Sequence, residues 1–199
     1  MLGDKLRFRF AKTGTLRLLS HHDLMRCAER MLRRAALPFK STAGFHPGPR
    51  IVFAQSLPLG VAGLDEVVEI EFLKELDADE TLSVLRSQAP DGLTFTRVAV
   101  VPLKATAVPR RIAYRLEVPH DRVEVVAARC AELLAEPKVW VERLKPNPKR
   151  LNIRPYLRNM SVAACGLAQS LEFDLWVTGT GTARADELMK LLNVSDLID

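Results

Sequence analysis

The 199-residue sequence has little cysteine: Cys27, Cys130 and Cys165 are widely spaced and odd in number. With no CxxC pair and no Cys/His cluster, neither a disulfide framework nor a structural zinc site is indicated. The run of three cysteines that would hold an iron–sulfur cluster is missing as well. Long apolar runs are also lacking, and none approaches the roughly 18–20 residues needed to cross a bilayer. The opening residues, Met1-Leu2-Gly3-Asp4-Lys5, contain no apolar signal core. The expectation is a cytoplasmic protein with no membrane partner.

Apolar residues make up 48% of the chain and charged residues 27%, a globular rather than a disordered balance. The length suits one large domain or two small ones. A net charge of +5 conceals strong segregation. Residues 1–50 carry 11 Lys/Arg against 3 Asp/Glu, whereas residues 51–101 carry 3 against 9. Residues 102–150 carry 11 against 6, and residues 151–199 carry 4 against 6. Two basic segments alternate with two acidic ones, which either neutralise each other in the fold or leave positive fields that attract polyanions.

Leu6, Phe8 and Phe10 alternate with Lys5, Arg7 and Arg9, which predicts a half-buried strand. A turn at Thr13-Gly14-Thr15 and a short extended piece over 16–19 follow. Ser20, with Asp23 three residues on, begins a helix through a variant of the capping box. Leu24, Ala28, Met31 and Ala35 form its buried stripe, and Leu37-Pro38 ends it. Residues 41–50 form a loop with two prolines and two glycines. Strands over 51–54 and around Val68, Ile70 and Phe72, a helix over 78–89 capped by Asp77, and a strand over 93–101 complete this half. The order is that of a split βαβ, ferredoxin-like lobe.

After a linker over 102–110 the pattern begins again. Ile112, Tyr114, Leu116 and Val118 alternate with charges. A helix over 121–135, a strand over 139–144, a basic and proline-rich stretch over 145–158, and a hairpin around Gly166 follow. A helix over 183–192 and a short last strand over 194–199 end the chain. The fold expectation is α+β, with two tandem ferredoxin-like lobes at 1–101 and 111–199, the second incomplete. One merged mixed sheet is the alternative.

This topology sorts the basic residues. Arg7 and Arg9 would lie beside Glu69 and Glu71 on the neighbouring strand, each pair contributing roughly 0.2–1 kcal/mol, and are read as structural. An RNA-recognition-motif sheet would place aromatics on that open face, so RNA binding of that form is not expected. On the first helix, Arg26, Arg30 and Arg33 recur at i, i+4 and i+7 opposite the buried stripe, with Arg34 close by and only Glu29 among them. The planar fork of arginine suits phosphate, so this row is the predicted RNA-binding face; a merely solvated face is the plain alternative. Lys40 and Arg50 on the next loop, and Lys145, Lys149, Arg150, Arg154 and Arg158 in the second lobe, extend the predicted set. Trp140 and Trp176 are read as core.

His46 and His21 are the candidate catalytic residues for metal-independent RNA cleavage, because imidazole titrates near neutral pH. His21 sits in a helix's first turn, where hydrogen bonding to Asp23 or the backbone is the structural reading. Asp23 with His21 supplies too few ligands for a metal. Thr178-Gly179-Thr180-Gly181-Thr182 lacks the P-loop lysine and spacing and reads as a turn. No metal and no cofactor is expected.

Together these segments resemble the radical-SAM-linked family of bacterial proteins of unknown function. The likeness rests on Phe10-Ala11-Lys12-Thr13-Gly14, Leu19-Ser20-His21, Asp23-Leu24 and Arg26. It continues through Arg34-Ala35, Leu37-Pro38, Ser41, Gly44-Phe45-His46-Pro47 and Pro49-Arg50 to Leu57-Pro58-Leu59-Gly60 and Glu66. Family members are often encoded beside, or fused to, a radical SAM protein. The resemblance therefore implies an accessory role and supplies no catalytic residue; without the cluster cysteines, the chain is not itself a radical SAM enzyme. The functional expectation is an RNA-binding module acting with a radical SAM protein on tRNA or rRNA. Tandem lobes with a glycine-containing loop also look like the repeat-processing ribonucleases of CRISPR systems, a fold-level likeness. An endoribonuclease of that type, and a protein-interaction scaffold for the radical SAM partner, are the alternatives.

Overall fold

A computed structural model describes residues 2–144, 147–165 and 168–198. It is mixed α+β, and among the described residues it contains four α-helices and three separate antiparallel sheets. The chain divides into two compact units, residues 1–108 and 109–199.

In the first unit β1 (Leu2–Lys12), β2 (Ile51–Phe53), β3 (Gly63–Asp77) and β4 (Leu93–Val100) form one sheet in the order β2-β3-β1-β4. Leu6, Phe8 and Phe10 of β1 and Val68, Ile70 and Phe72 of β3 are buried together with one face of each of two helices. The first of these, α1 (His21–Arg34), contributes Leu24, Cys27, Ala28, Met31 and Leu32. The second, α2 (Ala78–Gln88), contributes Ala78, Leu82 and Leu85. Period-2 and period-3.6 stripes thus close on each other, as a two-layer core requires.

Local chemistry sets the ends of α1. Ser20 Oγ accepts from the Asp23 amide at 3.2 Å and donates to the Asp23 carboxylate at 2.7 Å, so the acidic side chain meets the hydroxyl. At the other end the Leu37 amide reaches Leu32 O and the Ala36 amide reaches Arg33 O, a Schellman closure. Ala36 takes the left-handed position at φ 49°, where glycine is usual. The helix therefore stops at Arg34, three residues before the proline signal. Gly14–Leu18, expected as a turn running into a short extended piece over 16–19, form a 3-10 helix instead. Gly92 makes the close turn at the same end of the sheet: its φ is +86°, and a Cβ there would lie 2.6 Å from Thr13 O.

In the second unit β5 (Arg111–Val118), β8 (Leu157–Cys165) and β9 (Ala168–Trp176) form a sheet in the order β5-β9-β8. Helices α3 (Val123–Ala135) and α4 (Ala185–Leu191) add Val126, Cys130, Leu133, Leu188 and Met189 to its core. The strand expected over 139–144 is β6 (Trp140–Arg143). It pairs with an unforeseen strand, β7 (Lys149–Asn152), in a two-stranded ribbon separate from the sheet. The expected turn residue Gly166 lies outside the described residues, as does Lys145. The expected last strand is a 3-10 helix, Ser195–Ile198. Val194 is fully buried and its amide bonds Met189 O, so the chain turns back on α4 before a strand can extend.

A nearly buried ion pair fastens the ribbon to α4. Arg143 donates through Nε and Nη2 to Glu187 and also to Thr182 O. Burial pushes the Glu187 carboxyl up, but the Arg143 guanidinium and the Arg184 amide outweigh it and hold the group below its ordinary value. A carboxyl depressed on folding adds stability above its unfolded value of 4.5 and loses it as pH falls through the folded value. Both tryptophans lie in this unit, so tryptophan fluorescence reports its unfolding. The stability advantage of wild type over Glu187→Gln, measured by denaturant titration, should be present at pH 6 and shrink steadily toward pH 3.

Candidate nucleic-acid interface

The sheet carboxylates of the first unit hold many of its cations. Glu69, 1% exposed, accepts from Arg7 Nε at 2.8 Å, and its second oxygen lies 3.1 Å from Lys5 Nζ. Lys5 also donates to the carbonyls of Leu103 and Ala105. The register places Arg7 opposite Glu69, as the alternation predicts, but Arg9 pairs with Asp65 rather than Glu71. Glu71 instead faces Arg50 at 3.2 Å and Lys40 at 3.5 Å, two cations on one carboxylate.

On α1 the four arginines divide. Arg33 donates twice to Glu29 Oε1, at 3.1 and 2.7 Å, with its guanidinium 5.2 Å above the Phe39 ring. Arg34 donates to the side chain and carbonyl of Gln88. Arg26 has a 73% exposed side chain and only a 3.5 Å approach to Asp23. Arg30 is exposed and has no hydrogen-bond or ion-pair partner among the described residues. The positive end of the row is Arg26 and Arg30, one turn apart.

Residues 38–53 lie along the free edge of β3. The Lys40 amide bonds Glu71 O, the Glu71 amide bonds Arg50 O, and the Arg50 amide closes back on Lys40 O. Beyond this neck the Thr42 amide meets Gly48 O at 2.7 Å, so 43–47 is the tip of a hairpin. His46 and Phe45 stand exposed on it. His21, by contrast, packs its ring edge-on against Phe53 at 5.4 Å; Asp23, its expected partner, is bonded to Ser20. The structure does not pair the two histidines. Among the described residues no group of three or more His, Cys, Asp or Glu could hold a metal ion.

The second unit has its own basic surface. Lys149 and Arg150 are exposed on β7, and Arg150 lies 4.6 Å over the Trp140 ring. Arg158 bonds Asp174 and lies 5.1 Å over Trp176. The two tryptophans are 44% and 40% exposed, not core: each sits at a strand end where the alternation faces it outward. Arg154 is different, since its guanidinium donates to the carbonyls of Leu134, Glu136 and Leu157. It terminates α3 by filling that helix's last acceptors, and this leaves it no free fork for phosphate. Thr178 and Gly181 close as a tight turn through reciprocal backbone bonds.

Lys12 escaped the reading of charges, although its parity with Leu6, Phe8 and Phe10 marks it as inward. It is 1% exposed and directs Nζ toward the carbonyls of Arg17 and Leu19. Burial pushes its ammonium below the usual lysine range against the pull of Glu66. Burial, with Asp65, raises the Glu66 carboxyl. With Lys12 held in this way, it belongs to the support of the α1 entry turn.

Replacing Glu69 by alanine leaves Lys5 buried without its counter-charge, which costs about 3 kcal/mol. Glu71→Ala, which frees exposed cations, should cost less than about 1 kcal/mol. Amide hydrogen exchange of β1 and β3 distinguishes the two, because the first unit has no tryptophan to report.

Among the described residues no helix is long and apolar enough to cross a membrane. A comparison with curated proteins finds no match. The model of a family described as "Uncharacterized protein conserved in bacteria (DUF2344)" matches residues 5–185, nearly the whole chain and both of its units. The chain belongs to this bacterial family.

Proposed function

We propose that this protein is an RNA-binding module, with the exposed face of α1 as its phosphate contact, and that it serves a radical SAM enzyme acting on tRNA or rRNA. The observation that carries the reading is the state of Arg26 and Arg30. Lys5, Arg7, Arg9, Lys40 and Arg50 of the sheet and hairpin are bound to Glu69, Asp65 or Glu71, whereas Arg30 has no partner among the described residues and Arg26 only a long one. Guanidinium groups left in this state are available for bidentate contact with phosphate. Lys149 and Arg150 give the second unit a basic surface of the same kind.

The order β2-β3-β1-β4, with a helix after β1 and another after β3, supports reading the first unit as a ferredoxin-like lobe. The order β5-β9-β8 supports a second such lobe without its outer strand. The radical SAM partnership rests on the sequence resemblance. Binding is favoured over cleavage because His21 packs against Phe53, leaving His46 without a proton-transfer partner among the described residues.

Filter binding of a structured RNA at increasing salt tests the proposal. Arg26→Glu with Arg30→Glu should weaken binding at least tenfold and flatten the salt slope by about 1.5–2, the share of two phosphate contacts. Lys74→Glu with Arg97→Glu makes the same charge change at two other exposed sites and should have a much smaller effect. Equal loss in the two double variants would refute a specific α1 face.

A further inference from the structure

We infer that the hairpin tip at Phe45 is a stacking platform for an unpaired base of the RNA, an inference that rests on the RNA-binding reading and specifies its substrate. Phe45 is 101% exposed, the most exposed large apolar side chain among the described residues. An aromatic ring in this position gains nothing from the fold, so its burial energy is left for a ligand to realise.

The tip that presents it is braced. Both legs of the hairpin bond to β3 through the Lys40 amide and the Arg50 carbonyl. Thr42 is bonded to Gly48 twice, the Thr42 amide to Gly48 O at 2.7 Å and the Gly48 amide to Thr42 Oγ1 at 3.2 Å. Pro47 and Pro49 fix φ on the returning leg. Gly44, at φ +132°, supplies the bend just before the ring. A backbone braced on both sides of the tip loses little freedom when a planar ligand covers the ring, which favours binding.

The surroundings choose the ligand. Within 42–48 every neighbour of Phe45 is small, polar or proline: Thr42, Ala43, Gly44, His46, Pro47 and Gly48. A protein-docking anchor sits in a wider apolar patch that excludes water, and this tip has none. The neck carries Lys40 and Arg50 on the single carboxylate of Glu71, an excess of one positive charge. Arg33 lies over Phe39 beside that neck. A sequence-tolerant aromatic face next to cations is the arrangement that takes bases of single-stranded nucleic acid. A duplex, whose bases are already stacked and paired, offers the ring nothing.

Two RNAs of equal nucleotide count test this, one a stem with an unpaired loop and one a blunt duplex, each titrated with the full chain. Phe45→Ala should lose about tenfold or more in affinity for the looped RNA, with an unchanged salt slope and unchanged affinity for the duplex. Phe45→Trp should restore it. The melting temperature should not move, since the ring touches nothing. If Phe45→Ala binds both RNAs as wild type does, the inference is overturned and the tip is left as a knob for a protein. Equal loss on both RNAs overturns it too. If the wild-type chain holds neither RNA, the RNA-binding reading has itself failed and takes the inference with it.

Discussion

The first unit is organised around one buried carboxylate. Glu69 sits in the central strand pair, almost without solvent, between the guanidinium of Arg7 and the ammonium of Lys5. A lone ion in such a place would be prohibitive, and the cluster persists because each charge has partners, with the Leu103 and Ala105 carbonyls completing the shell of Lys5. This arrangement fixes the β1–β3 register by charge on one face while Phe8 and Val68 fix it by packing on the other. It also engages Lys5 and Arg7 on the helix-free face of the sheet.

Arg26 and Arg30 on α1 lie outside this cluster and are exposed. A helix with one stripe buried in the core must turn its other residues to water, and on α1 these include four arginines. Glu29 and Gln88 take two of them; the others remain. Ser20 and the Schellman closure hold the helix at its ends, so Arg26 and Arg30 project from a fixed support. The Arg33–Phe39 contact links that helix to the foot of the hairpin. Secondary structure capped at both ends, a residue of free charge and one unshielded ring are the features on which the proposed RNA contact rests.

Much of this was legible in the sequence where periodicity and charge spoke together. Arg7 opposite Glu69, the Ser20–Asp23 cap and the buried Leu24, Ala28 and Met31 of α1 follow from spacing alone, whereas Ala35 is the half-buried C-cap and Cys27 and Leu32 widen the stripe. What was not legible depended on contacts distant in sequence. Whether Arg33 is free turns on Glu29 and Phe39, and Arg34 is held by Gln88, 54 positions away. Arg154 looked like a surface cation in a basic stretch, and only the end of α3 shows its carbonyl partners. Trp140 and Trp176, expected in the core, have a strand parity that points outward, and an arginine lies over each ring. The β6–β7 ribbon hid behind prolines and lysines, which mask the alternation of Leu151 with its neighbours.

The central claim is that Arg26 and Arg30 on α1, together with the hairpin, and not the sheet face, meet the ligand. Ultraviolet crosslinking of the full chain to RNA, with the attached peptides located by mass spectrometry, addresses it directly. The account predicts adducts within residues 21–34 and 40–50. Adducts confined to β4 and the segment after it, or none in the first unit, would contradict it.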